Sequence, residues 1–173
     1  MNHSQVKLRP FEETDVKTLA LYANNAKIAN NLTDAFPHPY GEDAARAFIG
    51  MVSKDTPTRA FAIDIQGEAC GAIGVFPQTD IHKKNAEMGY WLAEPFWGLG
   101  IMSSLIPQML DYGFNTFEID RIFARPFGSN LASQKVLQKS GMKLEGTFER
   151  VLWKNGRYED EFIFAIRRNQ HKQ

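Results

Sequence analysis

The stretch AEMGYWLAEPFWGLGIMSS, residues 86–104, sets an apolar and aromatic run directly before two glycines and a further apolar run directly after them. Ala86 to Glu94 reads as a strand. From Met102 to Phe117 the residues Leu105, Ile106, Met109, Leu110 and Phe114 recur three and four apart, the spacing of a helix buried along one face. Gly98 and Gly100 therefore join a strand to a helix. At such a junction the first backbone N–H groups of the helix have no carbonyl one turn back to bond, and the helix dipole is positive. Glycine adds no β-carbon, so phosphate oxygens can come close to the backbone, and a pyrophosphate is the natural guest. Taken alone, a Gly-x-Gly more often just turns a tight corner. A Walker loop would need Gly-Lys-Ser/Thr, where this chain has Ile101 and Met102 after Gly100. A dinucleotide fingerprint would need a third small residue at the first strand–helix turn, and this match is poor and late in the chain.

Outward from that stretch, VKLRPF (6–11) reads as a first strand and EETDVKTLALYANN as a helix carrying Val16, Leu19 and Ala20 on one face. AKIANNLTDAFPHPYG reads as an irregular, substrate-facing loop, because Pro37 and Pro39 oppose helix and its Asn, Thr and Asp residues favour turns. EDAARAFIGMVSKD predicts a second helix with Ala44, Phe48 and Met51 on one side. RAFAIDI and CGAIGVF predict a hairpin about the turn QGE. Pro107 falls inside the long helix, where only an early position is harmless. RIFARP predicts a short strand, and SNLASQKVLQKSG a capped helix stopped by Gly141. Two long strands follow, joined by KNGR, whose Asn-Gly pair favours a tight hairpin. The order predicts an α/β (α+β) protein with a mixed sheet and helices on both faces, in a single domain spanning residues 1–173.

Twenty basic and twenty acidic side chains cancel, so no broad positive field favours nucleic acid or an anionic membrane. No apolar run is long enough to span a bilayer, and the N-terminus has no signal-peptide core, which predicts a cytoplasmic protein. The lone cysteine, Cys70, lies in a strand-like run and reads as a small core residue. His3, His82 and His171 have no metal-ligand spacing, so no metal is expected, and His38 in its Pro-rich loop reads as a surface residue. Tyr40, Phe36, Trp91, Trp97 and Trp153 could line an acceptor pocket, although core or rim packing explains each one alone. Asp34, Glu42 and Asp43 could attract a cationic amine.

The ordered set AEMGYWL, EPFWGLGIMS, DYGFNTFEIDR and ARPFGSNLASQKVLQKSGMKLEG resembles the acyl-CoA-dependent N-acetyltransferases of the GNAT superfamily, in the branch typified by RimJ and RimL. The resemblance runs from about Val6 to Ile166 and is strongest from Ala86 to Gly146. It implies a GNAT-type fold with a mixed, mostly antiparallel central sheet. It also implies transfer of an acetyl group from acetyl-CoA to a primary amine, a protein N-terminus or a small molecule, directly in a ternary complex. The superfamily's phosphate-loop pattern maps onto Trp97, Gly98, Leu99, Gly100, Ile101 and Met102, with Ser103 following in the helix; Trp97 replaces a common Gln or Arg. Phosphate binding would then rest mainly on backbone N–H groups.

By the same resemblance the strand residues Met88, Gly89, Tyr90, Trp91 and Leu92 would offer backbone hydrogen bonds to the pantetheine arm and stabilise the oxyanion. Asn130 and Ser133 would lie beside the arm and thioester, while Asn130 also reads as a helix cap. A lysine side chain, with a pKa of about 10.4, needs a general base more than an α-amine at about 8. Glu87 is the preferred base, with Glu145 and Glu149 weaker candidates. The resemblance expects a thiolate-protonating Tyr four residues before Gly141, where this chain has Leu137, so Ser133 becomes the candidate acid. The base position of the RimL branch falls on Leu152. The alternative reading is a catalytically silent acyl-CoA-binding regulatory module. Relatives of this kind occur as monomers and homodimers, and exposed apolar residues on the C-terminal hairpin suit packing or pairing.

Overall fold

A computed structural model of the chain describes residues 6–171, and His3 lies outside them. The strands are β1 (Val6–Arg9), β2 (Ala60–Ile65), β3 (Glu68–Pro77), β4 (Asn85–Leu92), β5 (Arg121–Ala124), β6 (Lys143–Lys154) and β7 (Arg157–Arg167). The helices are α1 (Val16–Ala23), α2 (Ala26–Ala29), α3 (Glu42–Val52), α4 (Ile101–Thr116), α5 (Leu131–Lys139) and α6 (Arg168–His171). The strands form a seven-stranded sheet in the order β1-β2-β3-β4-β5-β7-β6. Neighbours are mostly antiparallel. The β4/β5 pair is parallel, in register from Asn85↔Arg121 to Glu87↔Phe123. Strands running the same way need a long crossover, and α4 supplies it. The chain groups into two compact units, one of residues up to Gly74 plus Tyr90–Ile101, the other of Val75–Gly89 plus residues from Met102 onward.

In the first unit, Gln66 and Gly67 turn the β2/β3 hairpin with positive φ at both positions, as the polar QGE turn predicts. Gly71 in β3 is forced by packing: a β-carbon there would stand 2.5 Å from the Trp91 carbonyl oxygen. Arg9 bridges two buried carboxylates, with Nε 2.6 Å from Asp64 and both Nη atoms 2.7 Å from Asp15. Two local expectations change. The segment after α1 contains the single turn α2, capped by the Asn25 side chain accepting the Lys27 N–H. On α3 the buried face is Ala45, Ile49 and Val52, one position on from the expected stripe, and Met51 is exposed. Both stripes share the i, i+4, i+7 spacing; the one with two β-branched residues faces the core. Phe48, half-buried, meets Phe11 edge-on at 5.3 Å.

In the second unit, Leu105, Ile106, Met109, Leu110 and Phe114 of α4 are all buried, as their spacing requires. Gly113 lets this helix lie close on the sheet, since a β-carbon there would be 2.9 Å from Ile122 Cδ1 and 3.2 Å from Val75 Cγ1. The helix runs through Pro107 without a break. Helix α5 stops at Lys139, and Gly141 just beyond it has a φ of +84° that lets the Met142 N–H return to the Leu137 carbonyl at 3.1 Å. The long β6/β7 hairpin turns on Asn155 and Gly156, both with positive φ.

Candidate active site

In the first unit, a short 3-10 turn, Glu94–Phe96, carries the chain from β4 to the double glycine. Gly98 and Gly100 adopt φ of +74° and +76°, the left-handed region that glycine enters freely. A β-carbon at Gly98 would touch nothing within 4 Å, so backbone conformation, not crowding, requires glycine there. Helix α4 begins at the next residue, Ile101, and the first N–H groups of a helix have no carbonyl one turn back within it to bond. The Trp97 indole N–H donates to the Leu92 carbonyl at 2.6 Å, which leaves no polar group on that side chain for a ligand. Asn25 Nδ2 lies 2.7 Å from Glu94, and Lys27 also pairs with it; together they hold the Glu94 carboxyl below the usual carboxylate range. The aromatic candidates divide. Phe36 lies 4.8 Å from Tyr40 and 5.8 Å from Trp91, ring centre to ring centre. Tyr40 is buried, which raises its hydroxyl above the ordinary tyrosine value. Trp153 instead packs on Tyr158 in the second unit, both exposed.

Strand β4 turns its side chains by strict alternation only up to Met88. Ala86 and Met88 are buried, while Glu87 and Gly89 are partly exposed. Tyr90 and Trp91 are both half-buried and Leu92 is buried. In the second unit, Glu87 is gripped by Arg125, with Nε 3.0 Å from one carboxylate oxygen and Nη2 2.9 Å from the other. Arg125 Nη1 stands 3.7 Å from Glu161 on β7. Asn130 caps α5, its side-chain oxygen accepting the Ser133 N–H at 3.1 Å. Ser133 is half-buried in the first turn of that helix. Leu137, one turn on, is fully buried, so that position presents neither a hydroxyl nor an opening to one. Glu145 bonds Arg121 at 2.7 Å and Arg167 at 2.5 Å. Burial would raise its carboxyl, but these two cations hold it below its ordinary value. Arg125 and Glu161 carried no sequence signal, because strand registers bring them to Glu87 from 38 and 74 positions away in the chain.

Cys70 is fully buried, and burial pushes its thiol up to about 11, so it is a neutral core group rather than a nucleophile. His38 and His82 are exposed, and His171 Nε2 lies 2.7 Å from Asp111. Among the described residues no group of three or more His, Cys, Asp or Glu is placed to hold a metal ion. No described helix is long and apolar enough to cross a membrane.

Residues 5–143 match the acetyltransferase (GNAT) domain family. The chain belongs to that family. This GNAT chain is 32% identical over 99 residues to the uncharacterized N-acetyltransferase YoaA of Bacillus subtilis, a match spanning 57% of this chain and about half, 55%, of that relative. Two solved structures share its fold across nearly the whole length. RimL, a ribosomal L7/L12 alpha-N-protein acetyltransferase in complex with coenzyme A, is 25% identical with a TM-score of 0.83, covering 95% of this chain and 94% of that one. The spermidine N-acetyltransferase of Vibrio cholerae in complex with CoA and spermine is 25% identical with a TM-score of 0.82, covering 98% and 99%. The GNAT match runs through the double-glycine loop, β4 and α5 alike.

Proposed function

We propose that this chain is an acetyl-CoA-dependent N-acetyltransferase that acts on a primary amine by direct transfer in a ternary complex, as one catalytic domain in the cytoplasm. The observation that carries the reading is the pair of left-handed glycines opening directly into α4, inside a GNAT-family match. The residues fit the cofactor: a left-handed Gly98 with open space where a β-carbon would project, just before a helix N-terminus, suits a diphosphate. Residues Trp97, Gly98, Leu99, Gly100, Ile101, Met102 and Ser103 would hold the pyrophosphate through their backbone. Met88, Gly89, Tyr90, Trp91 and Leu92 would take the pantetheine arm, with Asn130 and Ser133 beside it. When bound, acetyl-CoA supplies the thioester carbonyl.

The chain's own residues handle the protons. Glu87, directly or through a water, accepts one proton from the ammonium, so that the nitrogen's lone pair can form its bond to the acetyl carbon. A backbone N–H of β4 steadies the carbonyl oxygen. The carbon–sulfur bond breaks, and a second amine proton reaches sulfur through the Ser133 hydroxyl or a water it holds. The products are the acetylated amine, free thiol and one proton. The acceptor is a protein N-terminus or a small amine; RimL and the spermidine enzyme exemplify the two kinds.

A second reading, a silent acyl-CoA-binding module, draws on one observation: buried Leu137 stands where the superfamily commonly has a proton-donating Tyr. Thermal unfolding with acetyl-CoA, against ATP and NAD as controls, tests both. Ligand at a hundredfold excess over its Kd stabilises by about 2.7 kcal/mol, which raises the midpoint of a chain this size by roughly 5–10 °C. No shift with acetyl-CoA removes both readings. A shift followed by thiol release with an amine acceptor selects the enzyme.

A further inference from the structure

Three charged side chains, from three neighbouring stretches of backbone in the second unit, meet on one face of the sheet. Glu87 is the last residue of the β4/β5 register, opposite Phe123. Arg125 lies two residues beyond Phe123, just past the end of β5, and its guanidinium reaches back to Glu87. Two residues further on, the backbone of Phe127 bridges Glu161 of β7, whose carboxylate lies within ion-pair distance of Arg125. Arg125 turns one edge of its guanidinium to Glu87, donating from Nε and Nη2 at 3.0 and 2.9 Å, and its remaining nitrogen faces Glu161 at 3.7 Å.

An isolated surface ion pair adds little to stability, up to about 1 kcal/mol, so stability alone is a weak reason for this arrangement. Geometry is a better one. A glutamate has three rotatable side-chain bonds, and a side-on guanidinium removes that freedom by fixing both oxygens in its plane. Each carboxylate oxygen carries two acceptor sites, so the grip leaves one on each oxygen for an amine N–H or a water. Glu161 faces the remaining nitrogen of Arg125 at 3.7 Å, so its charge opposes a swing of the guanidinium away with Glu87. A lysine would keep the charge but not the fork.

We propose that Arg125, anchored by Glu161, is the positioning residue for Glu87: it presents the base carboxylate in one orientation to the incoming amine. The inference rests on the reading of Glu87 as the base of an acetyltransferase. The test is steady-state kinetics of the full chain with acetyl-CoA and an accepted amine, for wild type, E87Q, R125K, R125A and the E87Q/R125A double variant. R125K and R125A should lower kcat on the order of tenfold to a hundredfold, the scale of a small misplacement of a reacting group. The KM for acetyl-CoA should stay within about twofold, because no ground-state contact to the cofactor is removed. Free guanidinium should restore part of the R125A rate, and R125A should cost nothing further once Glu87 is already Gln. A merely structural Arg125 would instead lower the melting temperature without guanidinium rescue and add its loss to that of E87Q. An R125K enzyme with wild-type kcat, or additive losses in the double variant, overturns the proposal. Should R125A fail to fold, R125K with its intact stem and charge decides the matter alone. A wild type that binds acetyl-CoA but acetylates no amine overturns the enzyme reading itself, an outcome distinct from an active wild type indifferent to Arg125.

Discussion

Gly98 has a left-handed φ and open space where a β-carbon would project. These two facts separate folding from binding at a single residue. In G98A the added methyl meets nothing in the protein, so the expected stability loss is the backbone penalty alone, roughly 1–2 kcal/mol. The same methyl enters the space proposed for phosphate oxygens, and acetyl-CoA should bind on the order of tenfold more weakly, a difference of about 1.4 kcal/mol. Urea unfolding of the free protein and calorimetric titration with acetyl-CoA read the two effects independently. Lost stability with unchanged acetyl-CoA affinity would make the loop a structural corner.

Helix α5 depends on its first residues: Asn130 accepts the Ser133 N–H, and Gln134 Nε2 reaches back to the Phe127 and Gly128 carbonyls at 3.2 and 2.9 Å. N130A removes the cap and should cost about 1 kcal/mol in urea unfolding, with N130S or N130D recovering most of it. At this scale the sequence was legible wherever one local rule decided. Asn-Gly fixed the β6/β7 turn, Gly141 the end of α5, and the apolar period of α4 its buried face. It was less legible where two patterns overlapped, as on α3, whose stripes lie one residue apart, and where a side chain nucleated one turn, as Asn25 does for α2. The candidate site divides in the same way. The two glycines declare themselves because backbone conformation is a local property. Arg125 and Glu161 do not, because only strand register carries them to Glu87.

Across the molecule, a buried carboxylate, Asp64, and an exposed one, Glu145, each held by cations, contribute to the response to acid. Burial would raise the Asp64 carboxyl, but hydrogen bonds from Arg9 and the Gly67 N–H, with the charges of Arg9 and Lys7, outweigh it and leave the group below its ordinary value. Glu145 is lowered in the same sense between Arg121 and Arg167. A carboxyl depressed in the folded state stabilises fully above its unfolded pKa of about 4, and that contribution fades as pH falls through the lower, folded value. Stability should therefore stay level from neutrality to about pH 5 and decline below about pH 4, and the decline should be shallower in D64N. Urea midpoints measured across that range give the answer; a D64N curve parallel to wild type would remove Asp64 from the explanation. The position of Cys70 has a practical consequence for every such assay. The chain has one cysteine, fully buried and neutral, so a disulfide reagent added to the native protein should count any coenzyme thiol released under the proposed reaction without background from the protein. In denaturant the same reagent should take up one equivalent per chain, making that thiol a built-in gauge of how much of a preparation is folded.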